Sequence, residues 1–547
     1  MARTNTRIWV GVGLALVAAI APGTNAQTTT SQKPSPEQSC RDLLLYNRLT
    51  LIYADTRPAS AEGPEQCYVK GLIGGSITFH AQLPFPDQWN GRLLHLGDGG
   101  SDGDLDFADR FVARGYATVN SNTGHDAGAE GGMFGFRNAR ASEDFAYRAV
   151  HFTTNAGKTL IETYYGKQQE YAYHFGCSTG GRQGLVAAQL FPYDFDGIIA
   201  GAPATQTMEK AAHRISTQQR LFADDFGGNL AFDADKDGKQ ESLAKVELLA
   251  DTVLEKCDKA DGIEDGVVEP PLCKFDPGAD LPKCPKGQDL ATCFTPKQID
   301  SVRHLYEGTR NSSGKLVYPG APLGSESSWP RVYIPHIGNG FRPRALGGRA
   351  LASYLDREVP KLVPPDPTDI DYELVKDIEL PEWGWWEFDI DDLDSAEMAD
   401  SVRLARGIDP KLDRFLFRQG GKLLMYHGWA DAQIPPKPTV DYHEAVVSSV
   451  FNGNHEEAAK HMRLFMAPGM DHCGRGPGPN QADYLAALDG WVTAGEAPET
   501  IVARHLTDGV VDNERPLCPY PERAVYVGRV DGINDPRNWV EESFQCR

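Results

Sequence analysis

Apolar positions in this chain fall into short runs of two kinds. Gly91-Arg-Leu-Leu-His-Leu96, Tyr171-Ala-Tyr-His-Phe175, Asp196-Gly-Ile-Ile-Ala200, Lys422-Leu-Leu-Met-Tyr-His427 and Arg463-Leu-Phe-Met466 are compact, rich in branched and aromatic side chains, and bounded by turns. Runs of that length and composition predict buried strands. Gly181 to Leu190 carries apolar residues at helical spacing instead. Strands alternating with helices predict an α/β fold with a mostly parallel sheet wrapped in helices. The pattern breaks near residue 204, where charge, turns, cysteine and proline-dense patches such as Lys361 to Pro367 take over, and resumes after residue 412. The expected organisation is one core formed by residues 27–203 and 413–547, interrupted by an insertion at 204–412. No internal repeat is present.

The N-terminus changes the picture of compartment. Arg3 and Arg7 precede an apolar stretch from Ile8 to Ile20, and Thr24-Asn25-Ala26 offers the small residues of a cleavage site. Residues 1–26 are therefore expected to be a secretory signal, followed by a polar leader at 27–38. No cysteine stands beside the cleavage site, which argues against a lipid anchor. Lys and Arg number 54 against 76 Asp and Glu, a formal charge of −22. Such an acidic chain is repelled by phosphate, so nucleic acid and anionic membranes are not expected partners. No apolar run outside the first 26 residues reaches membrane-spanning length. All 10 cysteines follow the signal, and in an exported chain an even count favours disulfides. Spacing suggests Cys40–Cys67, Cys257–Cys273, Cys284–Cys293 and Cys518–Cys546, with Cys177 and Cys473 left over. Spacing alone does not fix connectivity. No CxxC pair exists, which removes zinc-ribbon and thioredoxin readings.

The candidate chemistry starts at Gly176-Cys177-Ser178-Thr179-Gly180, a G-x-S-x-G placed between a strand and a helix. A sharp strand-to-helix turn exposes the serine hydroxyl above a sheet, and flanking glycines remove Cβ atoms that would clash. Serine needs a base, and the base needs a carboxylate to fix its tautomer. Asp431 follows the strand ending at His427, and His472 follows the strand ending at Met466, in the chain order Ser, Asp, His of an α/β-hydrolase. Sulfur offers an independent test. Cys177 precedes the serine and Cys473 follows the histidine, so contact between Ser178 and His472 would bring the two thiols within bridging reach.

Cys177-Ser178, Asp431 and His472-Cys473 resemble the paired-cysteine serine triad of the tannase/feruloyl esterase family, which includes bacterial terephthalate-monoester hydrolases. Gly176-Cys-Ser-Thr-Gly-Gly-Arg182, His427-Gly-Trp-Ala-Asp431 and the tail from Arg515-Pro-Leu-Cys-Pro-Tyr520 to Cys546 extend the likeness from about Cys40 onward. The resemblance implies an α/β-hydrolase core with a large lid inserted between nucleophile and acid. Ser178 is then the nucleophile, His472 the base and Asp431 its acid. The oxyanion donors would be the amide of Thr179 and one from the glycine loop Gly97-Asp-Gly-Gly100, with Gly99 and Gly100 both open.

Cys257-Asp258-Lys-Ala-Asp261-Gly-Ile263-Glu-Asp265-Gly-Val267 packs acids closely within the insertion. Carboxylates of Asp258, Asp261 and Asp265 with carbonyls of Ile263 and Val267 suit Ca²⁺, and the resemblance implies a structural calcium site there. Asp233-Ala-Asp235-Lys-Asp237-Gly238 opens like an EF-hand loop, yet its twelfth position is Ala244 where a bidentate Glu is required. An exposed acidic turn is expected there instead. His455-Glu456 and His443-Glu444 lack the second histidine of a zinc protease helix.

Taken together, the expected function is a secreted serine esterase for small aromatic carboxylic esters: feruloyl, hydroxycinnamoyl or galloyl, with plant polysaccharide or tannin as their carriers. A terephthalate-monoester or other aryl-ester hydrolase is the alternative of the same class. A non-catalytic, calcium-stabilised binding protein is the alternative of a different class. Trp383-Gly-Trp385-Trp386-Glu-Phe388 and the cations Arg342, Arg344 and Arg349 are candidate contacts for an aromatic acid, with core packing and a solvated face as their ordinary roles.

Overall fold

The computed structural model describes residues 34–130, 134–135, 138–231, 242–334, 388–395, 403–404, 406–528 and 533–547. The expected signal, the acidic turn Asp233–Gly238, Arg342, Arg344, Arg349 and Trp383 to Trp386 lie outside these residues. Phe388 is described. It is buried beside Met208 and Ile215, so its role in the structure is packing.

Nine strands form the main sheet: β1 (Thr50–Arg57), β2 (Gln66–Ile73), β3 (Ile77–Pro84), β4 (Arg92–Leu96), β5 (Ala117–Ser121), β6 (Tyr171–Cys177), β7 (Gly197–Gly201), β8 (Lys422–Gly428) and β9 (Met462–Ala467). Their spatial order is β1-β2-β3-β5-β4-β6-β7-β8-β9. The pairs from β5 to β9 are parallel, and β1, β2 and β3 extend the sheet as antiparallel strands. The expected mostly parallel α/β sheet is present, and every strand singled out in the sequence sits at its centre or at its β9 edge.

The continuous apolar runs follow from burial on both faces. Leu93, Ala172, Ile198, Leu423 and Leu464 point into one core, whereas their neighbours Leu94, Tyr173, Ile199, Leu424 and Phe465 point into the other. Among the longer helices, α1 (Ala149–Tyr165), α2 (Thr179–Leu190) and α6 (Lys437–Phe451) cover the first face through Leu160, Leu185 and Val446. The second face is covered by α7 (Tyr484–Ala494) through Leu488 and Trp491, and by the hairpin Ile501–Thr507/Val510–Leu517. Each such apolar side chain, withdrawn from water, contributes about 1.5–3 kcal/mol.

Strands β7 and β8 are direct neighbours, Gly197 paired with Lys422 and Gly201 with Tyr426. The described residues between them contribute no strand to this sheet. This inserted stretch includes α3 (Thr207–Phe226), α4 (Ala244–Cys257) and α5 (Pro296–Glu307). It has a core of its own, built from Val246, Leu249, Val253, Phe294, Val302 and Trp329. The start of α5 was encoded locally: the Thr295 side chain accepts from Gln298, the Gln298 side chain accepts from Thr295, and Pro296 fills the first turn.

Five disulfides close, pairing Cys40 with Cys67, Cys177 with Cys473, Cys257 with Cys273, Cys284 with Cys293 and Cys518 with Cys546. No helix among the described residues is long and apolar enough to cross a membrane.

Candidate active site

Strand β6 ends at Cys177, and Ser178 turns the chain into α2 at φ 62°, ψ −121°. That conformation is strained for a residue with a Cβ and persists only where surroundings over-determine it. Three backbone hydrogen bonds do so: Ser178 N–H to the Gly201 carbonyl (2.9 Å), and Ala204 N–H (2.9 Å) and Arg182 N–H (3.1 Å) to the Ser178 carbonyl. The motif glycines are required by contact. A Cβ on Gly176 would stand 2.4 Å from the carbonyl carbon of Gly180, and one on Gly180 would stand 2.8 Å from that of Gly97. Ser178 and Thr179 open directly onto the first turn of α2, whose amides have no helical acceptors and favour negative charge.

The loops after β8 and β9 run side by side, joined by Trp429 N–H to the Ala467 carbonyl (2.9 Å) and Ala430 N–H to that of Met470 (3.0 Å). They bring Asp431 and His472 together: His472 Nδ1 lies 2.7 Å from Asp431 Oδ2. A carboxylate only accepts, so Nδ1 carries the proton and Nε2 keeps a free lone pair. Asp431 is fully buried. Its Oδ1 accepts the amides of Gln433 (2.9 Å) and Ile434 (2.8 Å), while His427 Nε2 stands 3.3 Å from Oδ2. Burial pushes this carboxyl upward, but the His472 charge and the hydrogen bonds from His427 and His472 outweigh it and hold it well below the usual range. His427 is a contributor that sequence reading took only as a strand end. Its Nδ1 meets the Thr439 hydroxyl at 2.8 Å, so Nε2–H is the end aimed at the Ile434 carbonyl and Asp431.

The Cys177–Cys473 bridge holds Cα atoms 6.0 Å apart across 296 residues of sequence. It ties the serine turn to the histidine loop. The Ser178 hydroxyl and His472 make no hydrogen bond in this structure; the link between them is the bridge joining their chain neighbours. Catalytic hydrogen bonds commonly tighten only when substrate binds.

The loop after β4 lies against the start of α2. The Gly99 amide donates to Asp98 Oδ1 at 2.8 Å, whereas the Gly100 carbonyl accepts the Thr179 hydroxyl at 2.6 Å. Gly100 has φ +64°, and its own amide makes no hydrogen bond to a described residue. Geometry therefore separates two glycines that the sequence left equivalent.

The inserted stretch reaches this site. The Tyr333 hydroxyl donates to the Ala432 carbonyl (2.7 Å) and Arg214 to that of Gln433 (3.3 Å), the two residues after Asp431. Arg331 pairs with Asp471, next to His472. Arg182 is buried and donates to the Ala146 and Phe145 carbonyls, tying α2 to the preceding helical turn.

In the acidic loop, Asp258 Oδ1 accepts the Asp265 and Gly266 amides (3.1 Å each), Asp261 Oδ1 that of Ile263 (3.1 Å), and Asp265 Oδ1 that of Val267 (3.2 Å). Asp265 also pairs with the buried Arg515. Burial, with Asp265 and Asp258 nearby, pushes Asp261 up to about 6. No group of three or more His, Cys, Asp or Glu converges on a metal position among the described residues. The donor set is all oxygen and fits a hard cation, but these side chains are turned onto backbone amides.

The protein-family model of tannase and feruloyl esterase matches residues 66–535. The chain is 31% identical to the mono(2-hydroxyethyl) terephthalate hydrolase of Piscinibacter sakaiensis, covering 92% of this chain and 90% of that protein. It is 30% identical to feruloyl esterase C of Talaromyces stipitatus, over 84% of this chain and 81% of that one. Among solved structures, feruloyl esterase B from Aspergillus oryzae superposes with a TM-score of 0.76 at 25% identity, covering 94% of this chain and 100% of that one. Tannin acyl hydrolase from Aspergillus niger shares the fold, with a TM-score of 0.68 at 22% identity over 91% and 89% of the two chains.

Proposed function

The chain belongs to the tannase and feruloyl esterase family and is a carboxylic ester hydrolase, and on that premise we propose that Ser178, His472 and Asp431 hydrolyse small aromatic esters through an acyl-enzyme. The observation that carries this reading is the 2.7 Å Asp431–His472 hydrogen bond, bridged by the neighbouring cysteines to a strained serine. His472 Nε2 takes the proton of Ser178 Oγ as that oxygen attacks the ester carbonyl. Negative charge develops on the carbonyl oxygen, and the amides of Thr179 and Gly100 would receive it. His472 then gives its proton to the departing alcohol. Water, deprotonated by the same nitrogen, attacks the acyl-enzyme and releases the acid with Ser178 restored. Asp431, held ionised, stabilises the imidazolium in both halves.

The acids expected are ferulic, other hydroxycinnamic or gallic. A terephthalate monoester is the second reading, favoured by the likeness to the Piscinibacter sakaiensis hydrolase. A role in binding alone is disfavoured by the strain at Ser178, for which a binding protein has no use. The inserted stretch acts as the lid in this reading, supported by the contacts of Tyr333, Arg214 and Arg331 with the acid and base loops. Ca²⁺ would be held by Asp258, Asp261 and Asp265 with the carbonyls of Ile263 and Val267, as a structural ion that stabilises the loop; no catalytic step involves it. Five disulfides support export.

The test is turnover of methyl ferulate, methyl gallate and mono(2-hydroxyethyl) terephthalate by wild type and Ser178→Ala. At least one ester should be hydrolysed, and the substitution should lower kcat by roughly 10⁶-fold with folding intact. A folded Ser178→Ala protein that retains turnover refutes the assignment.

A further inference from the structure

Two carboxyl groups with no part in the triad lie in the same loop as Gly100. Asp98 and Asp102 flank the glycines, and Asp102 is buried at φ +63°, a left-handed conformation unusual for a residue with a Cβ. Asp98 uses Oδ1 to accept the Gly99 amide. Asp102 uses Oδ2 to accept the side-chain amide of Gln183 at 2.6 Å, and Gln183 is a buried residue on α2, one turn beyond Ser178. The two remaining oxygens, Asp98 Oδ2 and Asp102 Oδ1, are buried and have no N–H or O–H donor from any other described group. They belong to carboxyls within side-chain hydrogen-bonding reach of each other. Two carboxylates cannot bond there without a proton, because both would only accept.

We propose that Asp98 and Asp102 share one proton between their carboxyls and act as positioning residues that hold the Gly100 amide against the Ser178 turn. The inference rests on the serine esterase reading only for what the amide does, not for the pair itself. Asp102 is the donor. Burial raises its carboxyl well above the ordinary range, while the less buried Asp98 rises to about 6, also by burial first. Arg182, on α2, draws Asp102 down, and Asp104 and Asp106, on the same loop, push Asp98 up. His125, packed against Gly103 from the loop after β5, is held neutral by its own burial and adds no charge. The pair thus carries one negative charge at neutral pH. The loop is fastened to α2 at two points, Thr179 to Gly100 and Gln183 to Asp102, with the shared proton closing the turn between them. Loss of that proton at alkaline pH puts two anions face to face and pushes the turn open.

The experiment compares full-length wild type, Asp102→Asn and Asp102→Ala. Asparagine replaces the proton, since its NH₂ donates to Asp98 while its oxygen still accepts from Gln183. Wild type should lose kcat on an alkaline limb that Asp102→Asn lacks, with the kcat values of the two within a fewfold near neutrality. Asp102→Ala should lower kcat roughly ten- to hundredfold with KM nearly unchanged, the size of effect expected when a catalytic donor is misplaced. Independently of activity, the infrared difference between wild type and Asp102→Asn at pH 7 should contain a protonated-carboxyl carbonyl band from wild type. Absence of that band overturns the shared proton even in an inactive protein. Identical alkaline limbs in wild type and Asp102→Asn, or an unchanged kcat in Asp102→Ala, overturn the positioning role. Neither result touches the assignment of Ser178, which only Ser178→Ala tests.

Discussion

The central sheet and the stretch inserted between β7 and β8 reach stability by different means. In the sheet, neighbouring residues such as Leu423 and Leu424 fill opposite cores, and its long-range bridge, Cys177–Cys473, spans 296 residues. The insertion has a smaller core of its own and two short bridges, spanning 16 and 9 residues. In the chain-entropy account, closing a loop of about 15 residues contributes roughly 3 kcal/mol and a very long one about 5. The difference extends to carboxyl groups. Asp431, just past strand β8, is held ionised by two histidines, whereas Glu326, buried in the insertion, is pushed up to about 7 by burial despite hydrogen bonds from Tyr306 and Gly324. The sheet places a charged carboxyl beside His472; the insertion buries a carboxyl with no cation beside it among the described residues.

The sharpest way to break this comparison is to open one bridge in each region. Cys177→Ala/Cys473→Ala frees the serine turn from the histidine loop and should lower kcat about a hundredfold. Cys284→Ala/Cys293→Ala should leave kcat within twofold while lowering the melting temperature. Equal kcat losses in the two double variants would erase the distinction. A smaller effect is expected from calcium. Chelation should cost wild type about 3 kcal/mol of thermal stability if the ion is present at about 100 times its Kd, and Asp261→Ala should abolish that response. A melting temperature insensitive to chelator removes calcium from the insertion.

The smallest effect concerns pH. A carboxyl raised in the folded state keeps its proton after the unfolded chain has lost its own, so stability falls as pH climbs from about 4 towards 7. Asp431 has the opposite sign: its contribution is present above the unfolded value near 4 and is lost as pH falls through its depressed folded value. Glu326→Gln keeps the oxygen that accepts from Tyr306 and Gly324 and removes the ionisation. Its melting temperature should exceed that of wild type at pH 8, by about 1–2 kcal/mol of stability, and match it near pH 4. The same difference at both pH values would show that ionisation of Glu326 plays no part.

Much of the centre was legible because parallel strands buried on both faces are written as unbroken apolar runs. Arg92–Leu96, Tyr171–Cys177 and Lys422–Gly428 each match their predicted run to within two residues. The antiparallel strands β1–β3 were not marked out; Thr50–Arg57, for one, is an edge strand with mixed side chains, most of them half-buried or exposed. The four short-range cysteine pairs followed their spacing, and Cys177–Cys473 followed from the residues beside them. The roles of His427, Tyr333 and Gln183 left no local signature.

From the order of its residues alone, the chain determined which segments become central strands, which serine sits at a strand-to-helix turn, and which carboxylate and imidazole follow later strands. These are matters of periodicity and punctuation, carried by residues adjacent in sequence. Folding decided which glycine of the loop keeps an amide unused by any described residue, that His427 joins His472 at Asp431, and that two aspartates meet with one oxygen each that no other described group satisfies. Those outcomes depend on contacts such as Gln183 with Asp102, across 81 residues. Hydrogen-bond partners are fixed by direction within a packed interior, and no local pattern of apolar and polar positions specifies direction.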